Sequence, residues 1–235
     1  MTKFMLNKSI KLLVCNMADT TINDSKLIFN TLYKTIRDYD IYIDEEEIKN
    51  WKQTDSISIL KKYINSDIEY KYNDAIFPQI LNSYKTNLKN EYLKIPEIEL
   101  INPELPTLFN SIREKNIKIG LYTEYPVEIQ RKIIDTLNMN DYIDAYISKD
   151  QILYNVNSTS YTINSFRILM NVLKINNSCQ VVTIGDSISD INESKNINSG
   201  CNIGVLTGNN NKHELIDSGA DLVLNSVMDI SIDKY

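Results

Sequence analysis

The sequence predicts an α/β fold: a doubly wound, Rossmann-like parallel sheet carrying a small inserted all-helical domain. Three observations predict it. The apolar run Leu12-Leu13-Val14-Cys15 breaks into Asn16-Met17-Ala18-Asp19-Thr20-Thr21, and Val181-Val182-Thr183-Ile184 breaks in the same way into Gly185-Asp186-Ser187-Ile188-Ser189-Asp190. Each reads as a buried strand ending in a polar loop, the place where open α/β sheets bind ligands. Residues 25–92 show no strand pattern, whereas beyond residue 108 strands and helices alternate, which implies parallel strands with helical crossovers.

Taken in order, Lys11–Cys15 is the first strand. Leu27, Ile28, Leu32 and Ile36, then Ile48 and Trp51, then Ile57, Leu60 and Tyr63 recur at helical spacing. Ala75, Ile76, Ile80, Leu81, Tyr84 and Leu88 extend the pattern into a long helix, with Pro78 marking its start or a kink. The prolines at 96, 103 and 106 make residues 94–106 a return linker. Helices follow at 108–115, 127–137, 165–173 and 191–196, and strands at 118–121, 145–148, 180–184, 202–206 and 221–224. The domain division is therefore 8–22 with 97–235 for the core and 23–96 for the helical insertion. Asn209-Asn210-Asn211 reads as an exposed turn.

A length of 235 residues suffices for one α/β core and a smaller insertion. A net charge of -6 argues against a nucleic-acid partner, since no basic stripe is present to neutralise phosphates. No apolar stretch approaches the roughly 18 residues of a membrane span, and no secretory leader is visible. Three cysteines without metal-like spacing point to a reducing compartment. The expectation is a cytoplasmic protein without a membrane partner. The acidic run Asp44-Glu45-Glu46-Glu47 suits a first helical turn. The single histidine, His213, lies between Lys212 and Glu214 in an expected surface helix, so no triad and no histidine zinc site can be built.

The quoted loops resemble those of the haloacid dehalogenase (HAD) superfamily, and most closely its phosphonatase-like branch. There the first strand ends in Asp-x-Asp-Gly-Thr or Asp-x-Ala-Gly-Thr-Thr. Met17, Ala18, Thr20 and Thr21 fit the second form, with Asn16 at the nucleophile and Asp19 at the glycine. Lys118-Ile119-Gly120-Leu121-Tyr122-Thr123 is similar to the family's second motif, a strand ending in Thr or Ser. Gly185, Asp186 and Asp190 keep its Gly-Asp-x-x-x-Asp motif, and residues 204–208 and 214–221 also resemble the branch. The inserted helices would then be the family's cap.

That resemblance implies a hydrolase working through an aspartyl-phosphate, with Mg2+ held by positions 16, 18 and 186 and supported by 190. Here these are Asn16, Ala18, Asp186 and Asp190. Thr20, Thr123 and Glu124 fall at phosphate-contacting positions. Three positions depart from the pattern. Asn16 has no anionic oxygen, and a carboxamide is a poor nucleophile at neutral pH. Thr159 stands where a Lys or Arg is expected, and Lys149 would compensate only through a rearranged loop. Ser56 stands at the cap lysine that forms a Schiff base in phosphonatases, with Lys52 nearby on another helical face. Asp19 reads as a surface-turn residue. The implied function is a degenerate member, a pseudoenzyme with a weakened Mg2+ site and a small phosphorylated ligand. The alternative is an active Mg-dependent phosphatase. Relatives often dimerise through the cap, so a homodimer or another protein partner is compatible with the chain.

Overall fold

The structure, a computed structural model, describes residues 3–23, 27–48, 51, 54, 56–70, 75–94, 99–149, 151 and 164–232. The chain divides into two compact units, Met1–Asn23 with Ile98–Tyr235, and Asp24–Glu97.

In the first unit six strands form a parallel sheet: β2 (Leu12–Asn16), β3 (Lys118–Thr123), β4 (Ala145–Ser148), β5 (Val181–Gly185), β6 (Cys201–Val205) and β7 (Leu222–Leu224). Their order is β4-β3-β2-β5-β6-β7. The chain leaves β2 toward β3 on one side and later returns to β5 on the other. That reversal opens a crevice at the C-terminal ends of β2, β3 and β5, where doubly wound sheets bind ligands.

Side chains alternate across each strand. Leu12 and Val14 join Tyr122, Ile147 and Val181 in one cluster with Phe166, Leu169 and Met170 of the helix Ser165–Val172. Leu13 and Cys15 face the opposite way and are fully buried. Burial pushes the Cys15 thiol far up, which leaves it a packing group. A helix at Leu105–Glu114 buries Leu105, Phe109 and Ile112, one stripe at helical spacing, and packs against β3. It starts earlier than the proline pattern suggested, because Pro106 occupies its first turn, where the missing N–H costs nothing. The helix Lys212–Ser218 ends on Gly219 at φ +105, a left-handed cap that favours glycine.

A short parallel pair, β1 (Phe4–Leu6) with β8 (Ile230–Ile232), was not expected from sequence. Three-residue strands carry too little periodicity to be seen. Asn210 corrects the expected exposed turn: it is buried, and its amide donates to Glu214 Oε2 at 3.1 Å. His213 is exposed on its helix, as expected.

The second unit is helical among its described residues: α1 (Leu27–Asp38), α2 (Glu45–Ile48), α3 (Ser56–Ser66) and α4 (Ile76–Lys94). Ile76, Ile80, Tyr84 and Leu88 form the buried stripe of α4, and Pro78 sits in its first turn without breaking it. Trp51 meets Tyr63 edge to face, with centroids 5.8 Å apart, and donates to its hydroxyl at 3.2 Å. Among the described residues no helix is long and apolar enough to cross a membrane.

Candidate functional site

The strand-end loops meet at the crevice. Asn16 closes β2 in register with Tyr122, and Cys15 pairs with Ile184 on the other side. The turn that follows is wound around one carbonyl: Met17 O accepts from Thr20 N, Thr21 N and Ile22 N at 3.3, 2.9 and 2.9 Å. Asp19 adopts φ +50 within it, a left-handed conformation that Asp tolerates better than most residues. It is half-buried rather than a plain surface turn, and its charge acts on Asp186.

The Asn16 amide faces Asp190. Its Nδ2 donates to both carboxylate oxygens, at 3.1 and 3.0 Å. Asp190 belongs to the helix Ile188–Lys195, which begins three residues earlier than the sequence pattern suggested. A reciprocal cap causes the early start: Ser187 Oγ accepts from Asp190 N at 3.2 Å, and Asp190 Oδ2 accepts from Ser187 N at 3.0 Å. One carboxylate thus serves both the helix terminus and Asn16.

Asp186 is buried, and Oδ1 accepts from Thr20 Oγ1 at 2.9 Å. Burial, then the charges of Asp190 and Asp19, push its carboxyl well above the usual range. Gly208 closes over it, for a Cβ there would lie 2.0 Å from Asp186 Oδ2. Next to it, the buried Thr207 Oγ1 has no hydrogen-bond partner. The Tyr122 hydroxyl is buried near the Asp190 carboxylate without a well-formed hydrogen bond. Burial, then the Asp190 charge, raises its pKa. Thr123 Oγ1 accepts from Tyr125 N at 3.2 Å.

The partners of Lys149 were missed. It follows β4 directly. Its Nζ lies 3.0 Å from Glu124 Oε1 and 3.2 Å from Glu193 Oε2. Burial alone would lower its pKa; the charges of Glu124, Glu193 and Asp190 outweigh that and hold it above the usual lysine range. Glu193 was missed as well, although its position three residues after Asp190 places it on the same helical face.

The other expected positions fall elsewhere. Ser56 is buried in the helical unit at the start of α3, where the Tyr84 hydroxyl donates to it at 3.4 Å. Thr159 and Lys52 lie outside the described residues.

Among the described residues, no group of three or more His, Cys, Asp or Glu side chains is arranged to hold a metal ion. The positions that the family resemblance implies would offer a mixed oxygen set instead: Asp186, Asp190, the Asn16 amide oxygen and the Ala18 carbonyl. Hard oxygen donors in a crowd of carboxylates fit a Mg2+-type cation, with less charge than a carboxylate at position 16 would supply. The raised Asp186 carboxyl, pushed up by burial and by the Asp190 and Asp19 charges, is the group that such a cation would relieve.

Residues 17–205 match a family profile described as haloacid dehalogenase-like hydrolase, beginning immediately after Asn16. Similar solved structures include a predicted phosphatase from Clostridium acetobutylicum, at 19% identity and a TM-score of 0.68, covering 93% of this chain and 95% of that one. A β-phosphoglucomutase from Clostridium difficile superposes with a TM-score of 0.70 at 16% identity, covering 92% and 91%. A haloacid dehalogenase-like family hydrolase from Streptococcus pneumoniae does so at 0.68 and 12%, covering 94% and 96%. At these identities the structures share a fold. No curated protein matches the chain.

Proposed function

The chain belongs to the haloacid dehalogenase-like hydrolase family, and from that premise we propose that it is a catalytically impaired, phosphonatase-like member. Its site would keep a weakened Mg2+ and phosphate pocket for a binding or regulatory role. One observation carries this reading: Asn16 presents N–H groups to Asp190 where phosphoryl transfer requires an anionic oxygen.

Hydrolases of this family generally use Mg2+. In this chain Asp186, the Ala18 carbonyl and the Asn16 amide oxygen would hold it, with Asp190 supporting. When bound, it would neutralise charge on phosphoryl oxygens. Thr20, Thr123 and Glu124 surround the same crevice and are the proposed phosphate-side groups. Ser56 has no amine for a Schiff base, and its hydroxyl is engaged within a helical core, so carbon–phosphorus cleavage is disfavoured. The second reading is an active phosphatase that recruits Asp19, favoured by the closeness of that carboxylate to Asp186.

Hydrolysis of a generic phosphate ester with Mg2+ decides between them, comparing the native chain with Asn16→Asp, Asp186→Ala and Asp19→Asn. The impaired reading expects no turnover from the native chain and measurable turnover only from Asn16→Asp. Native turnover abolished by Asp186→Ala overturns it. Peptide mass spectrometry of residue 16 excludes activity that arises from deamidation.

A further inference from the structure

Lys149 is held by more than its own flexible stem. Thr123 and Ser148 are register partners at the ends of β3 and β4, so the residues that follow the two strands, Glu124 and Lys149, emerge side by side. Ser148 Oγ donates to Tyr125 O at 2.5 Å, and Ser148 N donates to Gln151 Oε1 at 3.2 Å. The ammonium group therefore leaves from a pinned strand end. It reaches Glu124 on one side, and on the other Glu193 and, at 3.5 Å, Ser189 Oγ, both on the helix that carries Asp190. Its side chain is 21% exposed, so solvent screens these contacts only in part.

We propose that Lys149 is a positive group of this site, a positioning residue that sets the Glu124 turn and the Asp190 helix against the phosphate. It would do so from the end of β4 in place of the basic residue missing at Thr159. The inference rests on the reading that the pocket still takes phosphate.

The charge balance supports it. Asp19, Asp186, Asp190, Glu124 and Glu193 act on one another or on Lys149. Lys149 forms ion pairs with two of them, Glu124 and Glu193. A phosphate dianion entering such a cluster meets strong repulsion unless positive charge is held where the two loops converge. Lys149 stands there, and its two carboxylate partners fix its direction. Glu193 is itself fixed, because Oε1 accepts from Ser165 N at 3.0 Å while Oε2 takes the lysine.

A mere strut between two glutamates would give the same picture, and calorimetric titration with inorganic phosphate in Mg2+ separates the two. The variants are Lys149→Met, Lys149→Arg, Glu193→Gln and the Lys149→Met/Glu193→Gln pair, each with a melting curve. Lys149→Met is expected to weaken phosphate about tenfold or more, and Lys149→Arg to stay within about threefold of native. Glu193→Gln keeps an acceptor for Ser165 N and releases Lys149 from one carboxylate, so phosphate should bind about threefold tighter. That gain should vanish in the pair, where no ammonium remains to be released. If Lys149→Met lowers the melting temperature but binds phosphate as the native chain does, Lys149 is a strut and the proposal fails. An equal gain from Glu193→Gln in both backgrounds overturns it too, since general charge relief then explains the effect. If the native chain gives no phosphate binding, the pocket reading itself falls and takes this inference with it.

Discussion

Asn16→Asp tests the site most directly, because it converts an attractive contact into a repulsive one without changing shape. The Asn16 amide donates to both Asp190 oxygens at 3.0–3.1 Å. An aspartate in the same place would set two carboxylates at that distance. At an effective dielectric of ~20, two unit charges this close repel by about 5 kcal/mol. Position 16 is only half-buried, so screening and small movements should leave roughly 2–3 kcal/mol. The new acid's folded pKa is raised above its unfolded value of about 3.9. Such a group binds more protons when folded, so stability falls as pH rises from about 4 through the folded pKa, and the penalty is absent below that window. Urea unfolding of both proteins at pH 4 and pH 8 reads this out. The variant should match the native chain at pH 4 and be weaker at pH 8. Saturating Mg2+ should recover much of the deficit, since a cation that binds only the folded state stabilises it by mass action. Equal stability at pH 8 without metal would refute the argument, for Asp190 would then not be where residue 16 meets it.

The neighbouring residues give three further expectations. Asp186 has a raised pKa from burial and from Asp190 and Asp19, so it weakens the native fold as pH rises above about 4. Asp186→Asn keeps an acceptor for Thr20 and should raise the melting temperature at pH 8 by about 2–4 °C per kcal/mol relieved, with no gain at pH 4; a uniform shift would contradict the charge argument. Gly208→Ala would place a Cβ 2.0 Å from Asp186 Oδ2 and 2.6 Å from its Cγ, and should cost about 1–3 kcal/mol in denaturant unfolding. Tyr122→Phe removes a buried hydroxyl that lies near Asp190 but makes no well-formed hydrogen bond. It should be neutral or stabilising by up to about 1 kcal/mol, and a clear loss would show that the hydroxyl serves Asp190 through a water.

Much of the core was legible because its strands are long apolar runs bounded by loops. Ala145–Ser148 matched its sequence pattern without a shift, and the other five strands of the main sheet were found within a residue or two at each end. What the pattern hid was local. Residues 188–190 look like loop in composition, yet the Ser187–Asp190 cap draws them into the helix. Pro106 reads as a breaker, but in a first turn it has no N–H to lose. The β1–β8 pair joins segments more than two hundred residues apart, and no local periodicity reports such a contact. At the site, Asn16, Asp186 and Asp190 were visible because motif spacing marks them. Lys149 was discounted because the basic position was sought near residue 159. Only the register of β3 with β4 shows that the strand end beside Glu124 carries an ammonium.

The amide at position 16 has a physical consequence for its neighbours. A carboxylate there, close to Asp190 and near Asp186, would need a nearby cation to keep the cluster ionised. The amide removes that anion and supplies N–H donors to both Asp190 oxygens in the place of a positive partner. Lys149 meanwhile pairs with Glu124 and Glu193. Phosphoryl transfer through Asn16→Asp would therefore carry an electrostatic cost that the native amide avoids, and a bound cation would have to offset it.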